Sequence, residues 1–121
     1  MKPVLIIDDD LRNTFALSAV LRAKGYDVIA ANNMVEAFAV LEKRSNEVGI
    51  ILLDMMMPGM DGYEAIPVLK SGESSRHIPV VAVTAQAMGG DREKCIAAGA
   101  DDYVAKPVNI GQLLKILDEY I

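Results

Sequence analysis

Tryptophan is absent from this chain, and cysteine and histidine occur once each, as Cys95 and His77. A single cysteine excludes an internal disulfide and a cysteine-based zinc site, and it fits a reducing, cytoplasmic compartment. A single histidine, in a polar loop before Pro79, has no partner for histidine-based metal binding or catalysis, so His77 reads as a surface residue. No apolar run approaches the length of a membrane span. Met1-Lys2-Pro3 leads into only a few apolar residues before Asp8, so neither a signal peptide nor a membrane association is expected. Basic residues are the minority, 12 against 17 acidic ones, for a formal net charge of -5. They are scattered rather than clustered, so no nucleic-acid-binding surface is expected. No Gly-x-Gly-x-x-Gly or P-loop follows the first apolar run, which argues against a nucleotide site.

What is present is ordinary in bulk and specific in pattern. The 121 residues, 52% hydrophobic and 24% charged, predict one globular domain over 1–121 with a core that needs no staples. Strand and helix signals alternate from end to end, which predicts a parallel sheet covered on both faces. Strands are expected over Val4–Asp8, Asp27–Ala31, Ile50–Asp54, Val80–Thr84 and Tyr103–Lys106. The first, third and fourth are continuously apolar, as strands buried on both faces are; the second starts polar and suits an edge. Right-handed crossovers with helices on both faces give an α/β doubly wound sheet of order 2-1-3-4-5.

The helices between these strands carry start and stop signals. The first is expected over Arg12–Lys24, capped by Asp10, with Phe15, Leu17, Val20 and Leu21 as its apolar stripe and Gly25 as a left-handed stop. The second follows Asn33, a favoured N-cap, with Glu36 in its first turn and Met34, Val35, Phe38 and Leu41 inward. The third, Gly62–Leu69, contains Pro67 and is expected to be kinked or short. The fourth should follow Gly89-Gly90 and end near Gly99, and the fifth should be capped by Asn109, with Ile110, Leu113, Leu114 and Leu117 inward. Phe15 and Phe38 are expected in the core, as is Cys95, while Met55, Met56 and Met57 read as core and loop packing.

The chemistry lies at the strand ends. Asp8 and Asp9 close the first strand, Asp54 the third, Thr84 the fourth and Lys106 the fifth. Open α/β sheets bind ligands at that edge. Any one of these residues alone would be an ordinary turn former, strand-end threonine or solvated charge. Together they place three carboxylates, a hydroxyl and an ammonium in one pocket. Crowded carboxylates repel and favour a hard divalent cation, which keeps part of its shell for phosphate oxygens. Asp54 can then attack phosphorus, Thr84 donate to a phosphoryl oxygen and Lys106 neutralise another. Lys106-Pro107 adds a proline that can be cis at the turn.

Over nearly its whole length the sequence resembles the receiver domain of two-component response regulators, a flavodoxin-like fold. The resemblance is carried by Asp8-Asp9, by Asp54 with Met57-Pro58-Gly59-Met60-Asp61-Gly62, by Val83-Thr84-Ala85, by Ala98-Gly99-Ala100 and by Tyr103-Val104-Ala105-Lys106-Pro107. It implies that Asp54 accepts a phosphoryl group from a histidine kinase or histidine phosphotransfer protein. It further implies magnesium or manganese on Asp9, Asp54 and the Met56 backbone carbonyl, with Asp8 acting mainly through water. Thr84 and Tyr103 would form a switch pair that alters the surface of the fourth helix, fifth strand and fifth helix, where a downstream partner reads it. Such a domain is not an enzyme beyond its own phosphorylation and dephosphorylation. The stretches Arg12–Leu17 and Asp91–Cys95 look like receivers attached to hybrid sensor kinases.

Two positions depart from the family pattern. Met56 cannot polarise an attacking water with its side chain, and Gln86 offers an amide instead of a carboxylate; both are expected to set the lifetime of the phosphorylated state. Two other readings stand beside the receiver. Asp8-Asp9-Asp10 contains the Asp-x-Asp spacing of haloacid-dehalogenase-type phosphohydrolases, with Asp8 as nucleophile and Thr84, Lys94 and Asp101-Asp102 following in order. Against it, Arg12 replaces the expected threonine or valine, no room remains for a cap, and Asp54 is unexplained. The other is a receiver-like interaction module that never takes up phosphate.

Overall fold

The computed structural model describes residues 2–85 and 90–121. Five strands and five helices alternate: β1 Val4–Ile7, α1 Leu11–Ala23, β2 Val28–Ala31, α2 Met34–Arg44, β3 Ile50–Asp54, α3 Gly62–Ser71, β4 Val80–Thr84, α4 Asp91–Ala98, β5 Asp102–Ala105 and α5 Ile110–Tyr120. All pairings are parallel and the order is β2-β1-β3-β4-β5, as expected for a doubly wound sheet. β1, β3 and β4 are buried along their whole length, and the more exposed β2 lies at an edge.

The side-chain alternation of strands divides the core in two. Leu5, Ile7, Ile51, Leu53, Val80 and Ala82 face α2, α3 and α4. Val4, Ile6, Ile50, Leu52, Val83 and Val104 face α1 and α5. The same alternation aims strand-end residues. Asp8, Asp54 and Lys106 continue the rows of Ile6, Leu52 and Val104, on the α1/α5 side. Thr84 continues the row of Ala82, on the opposite side, where Tyr103 also packs.

Local signals at the helix starts behave as the sequence predicts. Asp10 caps α1, accepting from the N–H groups of Arg12 at 2.9 Å and Asn13 at 3.4 Å. Asn33 and Asn109 cap α2 and α5 through Glu36 and Gln112. Glu36 in turn accepts from the N–H of Asn32, the residue before the cap, at 2.8 Å. Gly25 (φ 93°) and Gly99 (φ 116°) take the left-handed conformation after α1 and α4. Gly90 (φ 96°) precedes α4; Gly89 lies outside the described residues.

Four expectations need correction. First, α3 is not short: it runs to Ser71 through Pro67. Pro67 is exposed, while Ala65, Ile66 and Leu69 are buried, so packing of that face holds the helix although Pro67 cannot donate to the Tyr63 carbonyl. Second, Phe15 is not a core residue but 78% exposed. The buried face of α1 is Thr14, Ser18 and Leu21, because the helix rests on the sheet with small residues near its start. Third, Val35 is 79% exposed; Ala37 takes its place inward beside Met34 and Leu41. Fourth, β1 and β5 stop one residue earlier than expected, and β2 and β5 are displaced by one at their starts, so Asp8 and Lys106 stand just beyond the strands. Phe38 is half-buried against the core, Cys95 is fully buried, and His77 is exposed.

Candidate functional site at the carboxyl edge of the sheet

Each acidic side chain is positioned by a short local device. After β1 the chain turns into α1, and Asp8 Oδ1 accepts the Asp10 N–H at 2.9 Å. Thr14, buried on α1, donates its hydroxyl to the Asp10 carbonyl at 3.0 Å and approaches the Asp8 carbonyl at 3.4 Å. These bonds hold the acidic turn against the first helix. Asp54 at the end of β3 accepts the Met56 N–H on Oδ1 at 3.1 Å, so the chain leaves the strand around its own carboxylate. Met56 itself turns its side chain to solvent, whereas Met55 and Met57 are buried.

The following turn is fixed by a close approach. Gly62 N–H donates to the Met55 carbonyl at 3.2 Å. A Cβ on Gly62 would overlap Met55 Sδ and lie 2.8 Å from Met55 Cα. Asp61 caps α3 through the Glu64 N–H at 3.0 Å. The Asp61-Gly62 pair thus starts α3 directly beneath the strand end.

Ligand oxygens of Asp8, Asp9 and Asp54 lie within 4.8 Å of one another, close enough to share one cation. Asp8 and Asp54 are only 6% and 5% exposed, and Asp9 is exposed. An all-carboxylate set of this kind suits a hard divalent ion with remaining positions for water or phosphate oxygen. Lys106 reaches in from β5: its Nζ lies 3.4 Å from Asp8 Oδ2 and 3.6 Å from Asp54 Oδ1. The Lys106-Pro107 peptide bond is cis.

Burial pushes the Asp54 carboxyl above the ordinary carboxylate range. The Met56 N–H opposes that rise, the Asp8 carboxylate adds to it, and Lys106 opposes it. A buried carboxylate held above its usual range and facing a second one is a group that gains from a cation.

Thr84 stands at this edge on the other face of the sheet, and Tyr103 lies on that same face two residues further back, beside Ala82. Thr84 is fully buried, with its carbonyl accepting the Lys106 N–H at 2.8 Å. Tyr103, paired with Ala82, is half-buried against the core on the α4 side. Gln86 lies outside the described residues. Asp10 and Lys94 do not join the acidic cluster: Asp10 is a helix cap, and Lys94 lies over the Tyr63 ring at 5.7 Å.

The sequence reading did not anticipate a cleft of about 530 Å³ that opens from the acidic cluster between α1 and α5. Leu17 and Val20 on α1 and Val108 and Ile110 at α5 line it. Periodicity puts Leu17, Val20 and Ile110 in closed core, because it does not register that two helices on one face stand apart.

The chain matches the response regulator receiver domain family over residues 4–118. It belongs to that family. Among its relatives is the polar-differentiation response regulator DivK of Brucella anthropi, 33% identical over 99% of this chain and 96% of that protein. Among solved structures, the receiver domain of the sensor histidine kinase PA1611 from Pseudomonas aeruginosa superimposes with a TM-score of 0.87 at 34% identity, over 98% of this chain and 96% of that one. That structure has a magnesium ion coordinated in its active site cleft. The Vibrio cholerae chemotaxis protein CheY4 superimposes with a TM-score of 0.89 at 28% identity, over 100% of this chain and 99% of that one. This receiver is therefore similar both to a response regulator matched over nearly its full length and to a kinase-borne receiver. Among the described residues, no helix is long and apolar enough to cross a membrane.

Proposed function

We propose that this receiver, one domain over residues 1–121, is a cytoplasmic signalling switch in which Asp54 accepts a phosphoryl group from the phosphohistidine of a histidine kinase or histidine phosphotransfer protein. The observation that carries this reading is the setting of Asp54, a buried strand-end carboxylate within cation-sharing distance of Asp8 and Asp9 and beside Lys106. An Asp54 oxygen attacks phosphorus, the P–N bond to the donor imidazole breaks with its electron pair returning to nitrogen, and the ring, already protonated on its other nitrogen, leaves as neutral imidazole. Lys106 balances one phosphoryl oxygen and the Thr84 hydroxyl donates to another. Asp8, Asp9, Asp54 and the Met56 backbone carbonyl would hold magnesium or manganese, Asp8 mainly through water. The cation's contribution is neutralisation of phosphoryl charge in a site already crowded with carboxylates.

The acyl phosphate adds a dianion where a single carboxylate stood, and this biases a two-state equilibrium. Thr84 and Tyr103 share the α4 face of adjacent strands, so movement of Thr84 toward the phosphoryl group opens the way for Tyr103 to turn inward. The α4–β5–α5 surface then changes and a downstream partner reads it. The domain acts as a phosphoacceptor and not as a turnover enzyme.

The test is intact mass after incubation with acetyl phosphate, with and without magnesium. One magnesium-dependent phosphoryl addition, lost in Asp54→Asn, is expected. No adduct would favour a phosphate-independent interaction module, and an adduct that survives Asp54→Asn but is lost in Asp8→Asn would favour the phosphohydrolase chemistry.

A further inference from the structure

The cleft between α1 and α5 has a polar end and an apolar remainder. Asp8, Asp54 and Lys106 line it at the strand ends, with Asn13 in the first turn of α1. Ile6 and Leu52, two residues back along β1 and β3 on the same face, form the next layer of its floor. On the α1 side it is lined by Asn13, Ala16, Leu17 and Val20. That spacing is one helical stripe, and it carries the cleft about 10 Å from the start of the helix. Val108 and Ile110 form the facing wall, and beyond the residues at the polar end no polar side chain lines the cleft among the described residues.

Phosphoryl chemistry uses only the polar end. A donor seated with its phosphoryl group at Asp54 and Lys106 has apolar surface within reach of whatever it carries beyond that group. An acetyl group is too short to use this surface, whereas a longer aliphatic chain can lie along it. A charged or hydroxyl-rich remainder would lose water there without gaining partners. A volume of about 530 Å³ is that of a small-molecule pocket.

We propose that this cleft is a specificity site for small acyl phosphate donors, and that it takes the aliphatic chain of a medium-length acyl group. This inference rests on the phosphorylation reading above. An Asp54 oxygen attacks phosphorus, and the bond from phosphorus to the bridging oxygen breaks with its electron pair left on that oxygen. The chain then departs as a free carboxylate. Leu17, Val20, Val108 and Ile110 meet the chain and none of the reacting atoms. Burial of the chain is equal before and during transfer, so it raises the second-order rate constant of labelling and not the rate at saturation.

The experiment compares acetyl phosphate with hexanoyl phosphate on the full chain in magnesium, with phosphoryl addition followed by intact mass. The two leaving carboxylates are of nearly equal basicity, so intrinsic reactivity cancels from the ratio of second-order rate constants. With about half of the added chain buried, hexanoyl phosphate should label about tenfold faster. Ala16→Phe, at an exposed position on the α1 wall, fills the cleft and should bring the ratio down toward one. Val108→Thr keeps the shape of the opposite wall, makes it polar and should cut the ratio by about half. Val35→Phe, exposed on α2 across the sheet, should leave the ratio unchanged. If Ala16→Phe does not fold, Val108→Thr decides the matter. A ratio near one in the unsubstituted protein overturns the inference and leaves the phosphorylation reading standing. A high ratio that survives both cleft substitutions also overturns it. Labelling by neither donor overturns the phosphorylation reading and this inference with it.

Discussion

Lys106 Nζ stands 3.6 Å from Asp54 Oδ1 although the strands that carry the two residues are not neighbours. Asp54 ends β3 and Lys106 follows β5, with β4 between them. The lysine stem must therefore cross the end of β4, where Val83 and Ala85 line the same cleft, to reach the carboxylate. In doing so its ammonium also meets Asp8 at 3.4 Å and becomes the counter-ion of both buried acids.

Replacement of Lys106 by methionine keeps the stem and removes the charge. Acetyl phosphate labelling of Asp54 should fall by about a hundredfold, the usual loss for one preorganised donor to a charge-bearing oxygen. Stability should fall too, by about 1–3 kcal/mol without divalent cations, since two buried carboxylates then face each other unneutralised. Magnesium should restore most of the melting temperature and little of the labelling rate. A variant that labels normally would remove Lys106 from the chemistry.

Asp54→Asn should raise the melting temperature at neutral pH in the absence of divalent cations. The Asp54 carboxyl is held above its unfolded value, mainly by burial and with help from Asp8. Folding therefore favours the protonated form. The destabilisation is present above the folded pKa and disappears as pH falls below the unfolded one. The gain in the asparagine variant should be a few degrees at pH 7. It should shrink on acidification, and shrink again in the unsubstituted protein's favour when magnesium is added. Thermal melts of both proteins at several pH values, with and without magnesium, check the sign.

The sheet order and the residues at its edge were legible in the sequence because continuous apolar runs ended in polar residues four times. The reason Asp8, Asp54 and Lys106 share a face is the two-residue period of the strands, which the sequence also carries. Less legible were the helix faces. Phe15 and Val35 match an apolar stripe by spacing yet lie outside, because α1 and α2 turn Thr14, Ser18 and Ala37 inward. Periodicity reports which residues share a face and not which face meets the sheet. Pro67 signals the loss of one backbone donor but not the burial of Ile66 and Leu69 near it, which carries α3 on to Ser71. The contact of Tyr63 with Cys95 had no sequence signal, since it joins residues 32 positions apart on separate helices.

Gly62→Ala tests the turn that starts α3 under Asp54. The added methyl would overlap Met55 Sδ and press on Met55 Cα at 2.8 Å, and backbone cannot yield as a side-chain tip can. Overpacking of this kind costs about 1–3 kcal/mol, seen as a drop in melting temperature of several degrees. Because Met55 follows Asp54 directly, labelling should slow as well. Gly111→Ala is the comparison: its Cβ would come within 3.3 Å of Asn109 Oδ1, which caps α5 through the Gln112 N–H, so a cost of about 1 kcal/mol in stability is expected with labelling of Asp54 unchanged.

Phe15 offers the sharpest separation of stability from partner recognition. It is 78% exposed, and Leu11, one turn earlier on the same face of α1, is 65% exposed. Two large apolar residues four positions apart form a stripe that α1 does not bury against its own sheet. The stripe begins directly after the acidic turn, so under the proposed transfer a protein donor docking at Asp54 would meet it. A small donor need not. Phe15→Ser should therefore leave the melting temperature nearly unchanged, within about 0.5 kcal/mol of stability, and leave acetyl phosphate labelling intact. Transfer from a phosphorylated histidine phosphotransfer protein should slow by about tenfold, as expected for loss of one aromatic anchor. Leu21→Ala on the same helix should do the reverse. Its side chain is fully buried against the sheet, so about 2–5 kcal/mol of stability should be lost, while transfer below the melting transition should be largely kept. Equal effects of Phe15→Ser on both donors would mean that the stripe plays no part in recognition.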